Sequence, residues 1–371
     1  DVPLEGPVSL RGYRPTLKGH ARQIEKALDL LEKAERPVIY AGGGISASNA
    51  SAELVERAER FRIPVTTTLM GIGCIPCDHP LNLGMLGMHG TEYANFAVTE
   101  CDLLLAIGAR FDDRVTGKVS TFAPHAKIIH IDVDPAEIGK NKPIDVPIVG
   151  DARSILQAML HKAKKGAREN WIEKIRAWKK KHPLKSNDDG KLHPQFIIKE
   201  LSDLLKGEGV IVSEVGQNQM WTAQWYCFRK PRSWLTSGGL GTMGYGFPAA
   251  MGATFARPGE QVFDIAGDGS FQMNIQELGT VSANRIPVKV AILNNMYLGM
   301  VRQWQELFYD RRYSYTELPP VDCVKVAAAY GVDGMRVESP EQVREALRAA
   351  IDTEGPFVLD FRIEREENVF P

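Results

Sequence analysis

The sequence has almost no net charge and no long apolar run. Its 45 lysines and arginines balance 46 aspartates and glutamates, which leaves a formal net charge of −1. Proteins that bind nucleic acid through its phosphates carry a basic surface, so this balance gives no support for such a partner. No apolar stretch approaches the roughly 20 residues that a membrane-spanning helix needs. We therefore expect a cytoplasmic protein with no nucleic-acid partner and no membrane partner.

Cysteine is also scarce, with five residues in the whole chain. Cys74 and Cys77 are separated by two residues, but no second pair and no histidine follows at the spacing of a zinc site. We therefore expect structural thiols that carry no chemistry. The first residues, Asp1 to Pro3, resemble neither a signal peptide nor a natural translation start.

The length and the hydrophobic pattern predict two α/β domains. With 371 residues, of which 44% are hydrophobic, the chain can form two cores. Strand-like runs alternate with helical or glycine-rich segments, which predicts two doubly wound domains with mostly parallel sheets. The first domain is expected at 1–160, with 1–35 as a lead-in, and the second at 191–371. Strands are predicted at 36–41, 63–67, 102–107, 127–133 and 146–149, and then at 210–215, 261–266, 288–293 and 357–363.

Residues 161–190 are interpreted as a linker between these domains. The segment up to Lys185 is dense in lysine and arginine, and Trp171 and Trp178 lie at a helical interval within it. A nucleic-acid patch is the alternative interpretation, but the basic stretch is short and the chain is neutral. We therefore expect a linker helix with a solvated face, followed by an exposed loop.

Two strand-like runs in the second domain end in polar loops. Asp268 follows the run 261–266, and Asn295 follows the run 288–293, with a helix-like stretch at 270–282 between them. This is one βαβ unit, and ligands bind at the carboxyl ends of its strands. The carboxylate and amide oxygens suit Mg²⁺ that shares its shell with a diphosphate. Taken singly, the Asp-Gly pair at 268–269 or the Asn-Asn pair at 294–295 would more often be an ordinary turn.

Glycine-rich loops follow other strands. Gly42, Gly44 and Ala47 superficially match the dinucleotide fingerprint, but the next strand ends without the required acidic residue, which disfavours NAD. In the second domain, Gln217 follows a strand and precedes a helix, where backbone amides can meet diphosphate oxygens. The segment 238–244 is a second glycine-rich approach to the same region.

The flanking residues resemble one enzyme family. Segments 110–118, 267–274 and 298–304 closely resemble the large catalytic subunit of acetohydroxyacid synthase, also called acetolactate synthase, and the resemblance covers nearly the whole chain. It implies a thiamine-diphosphate enzyme that decarboxylates pyruvate and transfers the hydroxyethyl unit to a second pyruvate or to 2-ketobutyrate. This is the first common step of branched-chain amino acid biosynthesis.

The resemblance also assigns roles in the second domain. Asp268, Asn295 and the backbone carbonyl of Tyr297 would hold Mg²⁺, and Met243 would keep thiamine diphosphate bent. Asn218 departs from the histidine that is common in the family. The cofactor-binding residues implied by the resemblance are Gln217, Asn218, Gly241, Thr242, Met243, Gly269 and Ser270.

Substrate selection is assigned to three residues. Arg114 would bind the carboxylate of the 2-keto acid, because a guanidinium recognises a carboxylate in a bidentate manner. Trp304 lies four residues after Met300, so both side chains share one face of a helix. They would form an apolar wall around the alkyl group of the acceptor.

For the first domain, the resemblance implies bound FAD with a structural role. The alternative is a relative whose middle domain has lost its nucleotide. The FAD-binding residues would be Gly43, Thr68, Leu69, Leu86, Gly87, Met88, His89, Gly108, Ala109, Arg110, Phe111, Asp112, Asp132, Val133, Asp151 and Ala152.

The resemblance further implies that an essential glutamate lies on an N-terminal pyrimidine-binding domain. We expect this chain to be a fragment without that domain, and to be inactive alone. Family members form homodimers or tetramers, and a regulatory small subunit is a possible partner. Two other classes of function stay open: a different thiamine-diphosphate 2-keto acid decarboxylase or oxidase, and a non-catalytic nucleotide-binding module.

Overall fold

The computed structural model describes residues 12–160 and 168–371, which form two α/β units. Each unit is built on a six-stranded sheet, and the strand pairings within the described residues are all parallel. This confirms the prediction of two doubly wound α/β domains. In the part of the chain that is described, no helix has both the length and the apolar composition needed to cross a bilayer.

The first sheet has the strand order β3-β2-β1-β4-β5-β6. Its strands are β1 (Pro37–Ala41), β2 (Val65–Thr67), β3 (Asn82–Met85), β4 (Leu103–Ile107), β5 (Lys127–Asp132) and β6 (Val146–Val149). The helices are α1 (Ala21–Lys33), α2 (Gly43–Ala47), α3 (Ser51–Phe61), α4 (Glu92–Glu100), α5 (Asp113–Thr116) and α6 (Ala152–Leu160). Because β1 pairs with β2 on one side and with β4 on the other, and the chain crosses from β3 back to β4, the ends of β1 and β4 form a topological switch point.

Two segments expected outside the first core are part of it. Helix α1 buries Ile24, Ala27 and Leu31, so the prediction that 1–35 is only a lead-in is wrong for this helix. Helix α7 (Glu169–Lys181) lies within the predicted linker 161–190, and Trp171 is buried, with its indole N–H donating to the carbonyl of Pro37 at 3.1 Å. The apolar side of this helix therefore packs on the first unit, while residues 161–167 lie outside the described residues.

Arg168 fixes the start of α7 to the first unit. Its guanidinium is buried and donates to the carbonyls of Leu31 at 2.6 Å, Ala34 at 3.2 Å and Phe61. These carbonyls belong to the carboxyl-terminal turns of α1 and α3, which lack intrahelical partners. One cation thus satisfies acceptors from two helices and complements both helix dipoles.

The second sheet has the strand order β11-β12-β10-β9-β7-β8. Its strands are β7 (Val210–Ser213), β8 (Trp234–Thr236), β9 (Val262–Gly267), β10 (Val288–Asn294), β11 (Asp333–Val337) and β12 (Phe357–Arg362). The helices are α8 (Pro194–Leu205), α9 (Gln217–Trp225), α10 (Gly246–Ala256), α11 (Asp268–Phe271), α12 (Glu277–Asn284), α13 (Gly299–Phe308), α14 (Cys323–Ala329) and α15 (Pro340–Asp352). The helix expected at 270–282 is interrupted by a 3₁₀ turn at Gln272–Asn274.

A disulfide bond between Cys77 and Cys227 joins the two units. The prediction that the cysteines are all structural thiols is therefore wrong for this pair, while Cys74, Cys101 and Cys323 are free and buried. The two bonded residues are separated by 150 positions, a distance at which sequence spacing carries no information about pairing. Next to the bond, the backbone N–H of Cys77 donates to the carbonyl of Phe228 at 3.0 Å.

We predict that breaking this bond destabilises the protein. A reductant is expected to lower the thermal midpoint, because a disulfide that closes a long loop typically contributes about 2–4 kcal/mol. Thermal unfolding followed by circular dichroism measures the effect. The double variant Cys77→Ser/Cys227→Ser should melt at the reduced midpoint and should not respond to reductant. Equal midpoints for the oxidised and reduced wild type would contradict the prediction.

Candidate active site

Asp268 and Asn295 lie together at the carboxyl ends of two central strands. The register of β9 and β10 aligns Gly267 with Leu293, so the loops that follow begin at the same level of the sheet. Both side chains are 4% exposed. The amide oxygen of Asn295 accepts the backbone N–H of Tyr297 at 3.1 Å, which fixes the turn between these residues.

The carboxyl group of Asp268 is poised to accept a cation. Burial, together with the negative charge of Asp360, raises the pKa of Asp268 to about 7, although Arg362 partly opposes this shift. A divalent cation would remove the cost of ionising this buried group. One carboxylate, one amide oxygen and the carbonyl of Tyr297 are hard oxygen donors, which fit Mg²⁺ that retains other oxygen ligands.

Asp360 on β12 is the residue whose negative charge helps to raise the pKa of Asp268. It is fully buried, and its carboxylate accepts the side-chain amide of Asn294 at 2.8 Å and pairs with Arg362 at 3.0 Å. Asn294 precedes Asn295 and ends β10. The hydrogen bond from Asn294 to Asp360 therefore orients the backbone that carries the next residue, the predicted metal ligand Asn295. Sequence reasoning missed Asp360, although a carboxylate inside the apolar run 357–361 could have revealed it.

Gln217 connects this region with α13 and the C-terminal residues. It is the first residue of α9, and its amide oxygen accepts the side-chain N–H of Asn295 at 3.2 Å. Its amide nitrogen donates to the side chain of Gln303 at 2.9 Å and to the carbonyl of Glu367 at 2.9 Å. Gln217 therefore lies at the junction of α9, α13 and the loop after β10, which is where a diphosphate at the start of α9 would be contacted.

Asn218 and Ser270 are held by the fold itself. The side-chain amide of Asn218 donates to the carbonyls of Glu214 at 3.0 Å and Ile265 at 2.8 Å, so it joins the ends of β7 and β9. The hydroxyl of Ser270 is within 3.2 Å of both the N–H and the carbonyl of Gly267, so it closes the turn that carries Asp268. Their predicted contacts with a diphosphate stay predictions.

Met243 reaches toward the loop that carries Asp268. Its methyl carbon lies 3.7 Å from the position that a Cβ would take at Gly269. Gly241 and Thr242, which precede Met243, are exposed. The glycine-rich segment 238–244 and the Asp268 loop therefore face each other across the carboxyl edge of the sheet.

Arg114 and Trp304 come together from different units. Arg114 lies in α5 of the first unit, and its guanidinium carbon lies 5.2 Å from the ring centroid of Trp304 in α13. Its side chain is 61% exposed, with Asp113 at 3.8 Å as its ion-pair partner. Met300 lies one turn before Trp304 on the same helix. The three predicted substrate residues thus share one region at the junction of the units.

The predicted FAD residues occupy the carboxyl edge of the first sheet. Gly108 and Phe111 follow β4 with positive φ angles of 58° and 51°, and Asp132 ends β5. The carboxylate of Asp132 accepts the backbone N–H of Asp134 at 2.9 Å, and burial raises its pKa. The side chain of Arg110 pairs with Asp112 at 2.7 Å.

The other predicted FAD residues differ in exposure and in the contacts they make. Met88 and Val133 are exposed, whereas Leu86, Ala109 and Ala152 are buried. The backbone N–H of Gly87 donates to the side chain of Asn95, Thr68 caps a 3₁₀ turn that includes Leu69, and Asp151 accepts the N–H of Ser154. His89 is half-buried, and burial together with Arg114 lowers its pKa to about 4.

The glycine run after β1 is explained mainly by packing between loops. A Cβ at Gly42 would lie 2.0 Å from the carbonyl oxygen of Gly108, and a Cβ at Gly44 would lie 2.6 Å from its Cα. Side chains at these two positions would therefore separate the ends of β1 and β4. Gly43 does not contact Gly108 in this way and approaches Met70 instead.

Two families match this chain. Residues 24–159 match the family described as "Thiamine pyrophosphate enzyme, central domain", and residues 214–361 match "Thiamine pyrophosphate enzyme, C-terminal TPP binding domain". The first match covers all six strands of the first sheet. The second begins at Glu214 and includes Gln217, Met243, Asp268 and Asn295.

The chain is also similar to three named relatives. It is 51% identical to the probable acetolactate synthase large subunit of Methanocaldococcus jannaschii, with 98% of the chain matched. It is 48% identical over 98% of its length to the acetolactate synthase of Mycobacterium bovis, and 47% identical over 100% to the acetolactate synthase large subunit of Parasynechococcus marenigrum. The chain spans 64%, 61% and 61% of these relatives. These matches confirm the resemblance: the chain belongs to the thiamine pyrophosphate enzymes, in the family of the acetolactate synthase large subunits.

Proposed function

We propose that this chain supplies the diphosphate-binding and metal-binding part of an acetolactate synthase. The observation that carries the proposal is the convergence of Asp268, Asn295 and Gln217 at one edge of the second sheet, with Met243 facing them. Asp268, Asn295 and Tyr297 would hold Mg²⁺, and the start of α9 would receive the diphosphate. When bound, thiamine diphosphate supplies the carbanion stabilisation that decarboxylation of a 2-keto acid requires.

The substrates of this proposed enzyme are pyruvate and a second 2-keto acid, either pyruvate or 2-ketobutyrate. The products would be CO₂ and 2-acetolactate or 2-aceto-2-hydroxybutyrate. Arg114 presents a largely exposed guanidinium beside the ring of Trp304, so a carboxylate can be bound next to an apolar surface. Met300 extends that surface along α13. A decarboxylase or oxidase of another kind has less support, because the named relatives are acetolactate synthases.

Assembly and location belong to the same proposal. We propose a homodimer or tetramer on the basis of the family, and Leu240 and Tyr315, which are 95% and 99% exposed, are candidates for the interface. A regulatory small subunit is a further partner, since the names of two relatives describe a large subunit.

We propose a cytoplasmic location on the basis of the family, although the disulfide between Cys77 and Cys227 is unusual for a reducing compartment.

We also propose that the first unit binds FAD in a structural role. The carboxyl ends of β1, β4 and β5 meet at the switch point of the first sheet, which is where such sheets bind nucleotides. Asp132 offers a half-buried carboxylate there as an acceptor for ribose or adenine groups. The reaction involves no net electron transfer, so the flavin would not change its redox state.

Acetolactate formation from pyruvate tests the proposed function. The chain is assayed with thiamine diphosphate, Mg²⁺ and FAD, alone and with the part of the Methanocaldococcus jannaschii relative that lies outside the match. We expect product only in the second case, because the essential glutamate of the family is proposed to lie in that part. Product from the chain alone would show that this glutamate lies within the 371 residues.

The metal site gives a prediction about binding. Asp268→Asn is expected to weaken Mg²⁺-dependent binding of thiamine diphosphate by more than about 100-fold, because even residues that only support a metal ligand contribute 10–100-fold. Isothermal titration calorimetry measures the affinity. The matched control is Asp333→Asn, an exposed position on β11, which should bind like the wild type. Equal affinity for both variants would contradict a ligand role for Asp268.

The substrate site gives a prediction about kinetics. In the reconstituted assay, Arg114→Gln is expected to raise KM for pyruvate about 10-fold to 100-fold, which corresponds to loss of a hydrogen bond to a charged group. Arg114→Lys should recover only part of this loss, because an ammonium cannot bind a carboxylate in a bidentate manner. Arg348→Gln on α15 is the control. An unchanged KM in Arg114→Gln would exclude a carboxylate-binding role.

The FAD proposal is tested by flavin fluorescence. Titration of the chain into FAD should quench the fluorescence with one flavin per chain. Asp132→Ala is expected to weaken binding about tenfold or more, as loss of a charged acceptor does. Asp134→Ala, at the exposed neighbouring carboxylate, is the control. Identical titrations for the wild type and Asp132→Ala would remove Asp132 from the site.

A further inference from the structure

The glycine-rich segment 238–244 is called the Met243 loop below. Two carboxylates that have no role in the proposed reaction are buried beneath it. Glu214 follows β7, and Asp264 lies within β9, and both side chains are fully buried. The register pairs Val212 with Asp264. Glu214 lies two residues after Val212, so its side chain lies on the same face of the sheet as that of Asp264. The two carboxyl groups are therefore neighbours, one directly after β7 and the other within β9.

Glu214 fixes the backbone that follows Met243. Its carboxylate accepts the backbone N–H of Gly244 at 2.7 Å and that of Phe247 at 3.0 Å. These amides lie at the start of α10, where N–H groups lack intrahelical acceptors. Hydrogen bonds from two backbone N–H groups to a buried carboxylate are strong. They hold Gly244, the residue next to Met243, in place.

Asp264 has no such partners. Within residues 12–160 and 168–371, neither of its carboxylate oxygens receives a hydrogen bond. A Cβ at Gly246 would lie 2.4 Å from one of these oxygens and 2.7 Å from the backbone nitrogen of Glu214, so α10 packs directly on both residues. Ionised, Asp264 would be a desolvated charge beside a second negative charge.

Burial and the adjacent Glu214 raise the pKa of Asp264 well above its usual value, and burial also raises that of Glu214, against the opposing effect of its backbone N–H partners. Among the described residues of α10 and β10, which flank the pair, no cation compensates it. Helix α10 has no ionisable side chain. Lys289 of β10 donates instead to the carbonyls of Thr353 and Gly355.

We propose that Glu214 and Asp264 share one proton and form a positioning pair that holds the Met243 loop in place for thiamine diphosphate. The role of the pair in cofactor binding rests on the proposed function, whereas its role in holding the Met243 loop in place does not. With the proton present, Asp264 is neutral and Glu214 keeps its charge for Gly244 and Phe247. Loss of the proton places two negative charges under the start of α10 and loosens the segment.

The direction of the pH dependence follows from the raised pKa values. The stabilisation is complete at pH values below the usual carboxyl range and is lost as pH rises through the raised pKa. Loosening of the loop is therefore an alkaline effect. It differs in direction from ionisation of the predicted ligand Asp268, which favours metal binding as pH rises.

Hydrogen exchange of segment 241–249 tests whether Glu214 and Asp264 hold the Met243 loop in place. Mass spectrometry follows this segment in the cofactor-free chain from pH 6 to pH 9, after correction for intrinsic exchange rates. Wild-type protection should fall by up to about tenfold per pH unit above the titration point. Asp264→Asn should stay protected throughout, because its amide replaces the shared proton as a donor. Glu214→Gln should be poorly protected at every pH, because one amide oxygen replaces two acceptors.

Strand β10 provides the control within each sample, since its exchange should be the same in all three proteins if they are folded. Protection of segment 241–249 that does not depend on pH in the wild type would overturn the shared proton. An Asp264→Asn variant as poorly protected as Glu214→Gln, with β10 intact, would overturn it as well.

Calorimetry with thiamine diphosphate and Mg²⁺ tests the link to the cofactor. Glu214→Gln should bind more than about tenfold more weakly than the wild type, as expected when a charged hydrogen-bond partner is lost. Asp264→Asn should equal the wild type at pH values where wild-type segment 241–249 is fully protected, and should bind more tightly than the wild type at pH values where that protection has fallen. Normal binding by Glu214→Gln would overturn the positioning role. No binding by the wild type, with the expected exchange pattern, would overturn the proposed function and leave the fastening of the loop supported.

Discussion

Parallel pairing is the constraint on which the candidate site depends. Because the paired strands all run in one direction, the carboxyl ends of β7, β9 and β10 meet at one edge of the second sheet. Residues far apart in sequence, such as Gln217 and Asn295, are thereby brought within hydrogen-bonding distance. The apolar strands supply the rigid support, and the loops after them supply the chemistry.

The second unit buries several carboxylates and stabilises each in a different way. Asp360 is paired with Arg362, and Glu214 accepts backbone N–H groups. Asp264 has neither kind of partner within the described residues, which is why we propose that it is protonated. Asp268 follows β9 at the carboxyl edge of the sheet, where we propose that a cation binds. The cost of burying charge thus distinguishes residues that support the fold from the residue best suited to bind metal.

The sequence predicted the parts of this structure that rest on local pattern. Continuous apolar runs predicted the central strands, and the polar residues at their ends predicted the grouping of Asp268 with Asn295. Edge strands β3, β8 and β11 were not predicted, because they are short or partly exposed and lack such a run. The pairing of Cys77 with Cys227 depends on how the units meet, which no local pattern records. Asp264 was overlooked because a single carboxylate in an apolar strand did not change the strand prediction.

The contact between Arg114 and Trp304 spans the two units, so the width of the proposed substrate pocket depends on how the units are oriented. Contacts outside the pocket contribute to that orientation, among them the Cys77–Cys227 bond and the indole N–H of Trp234, which donates to the carbonyl of Leu69 at 3.1 Å. Substitutions at this seam are therefore expected to change the width of the proposed pocket while every residue of its lining stays the same. The shape of the proposed pocket thus depends on the contacts between the units as much as on the residues that line it.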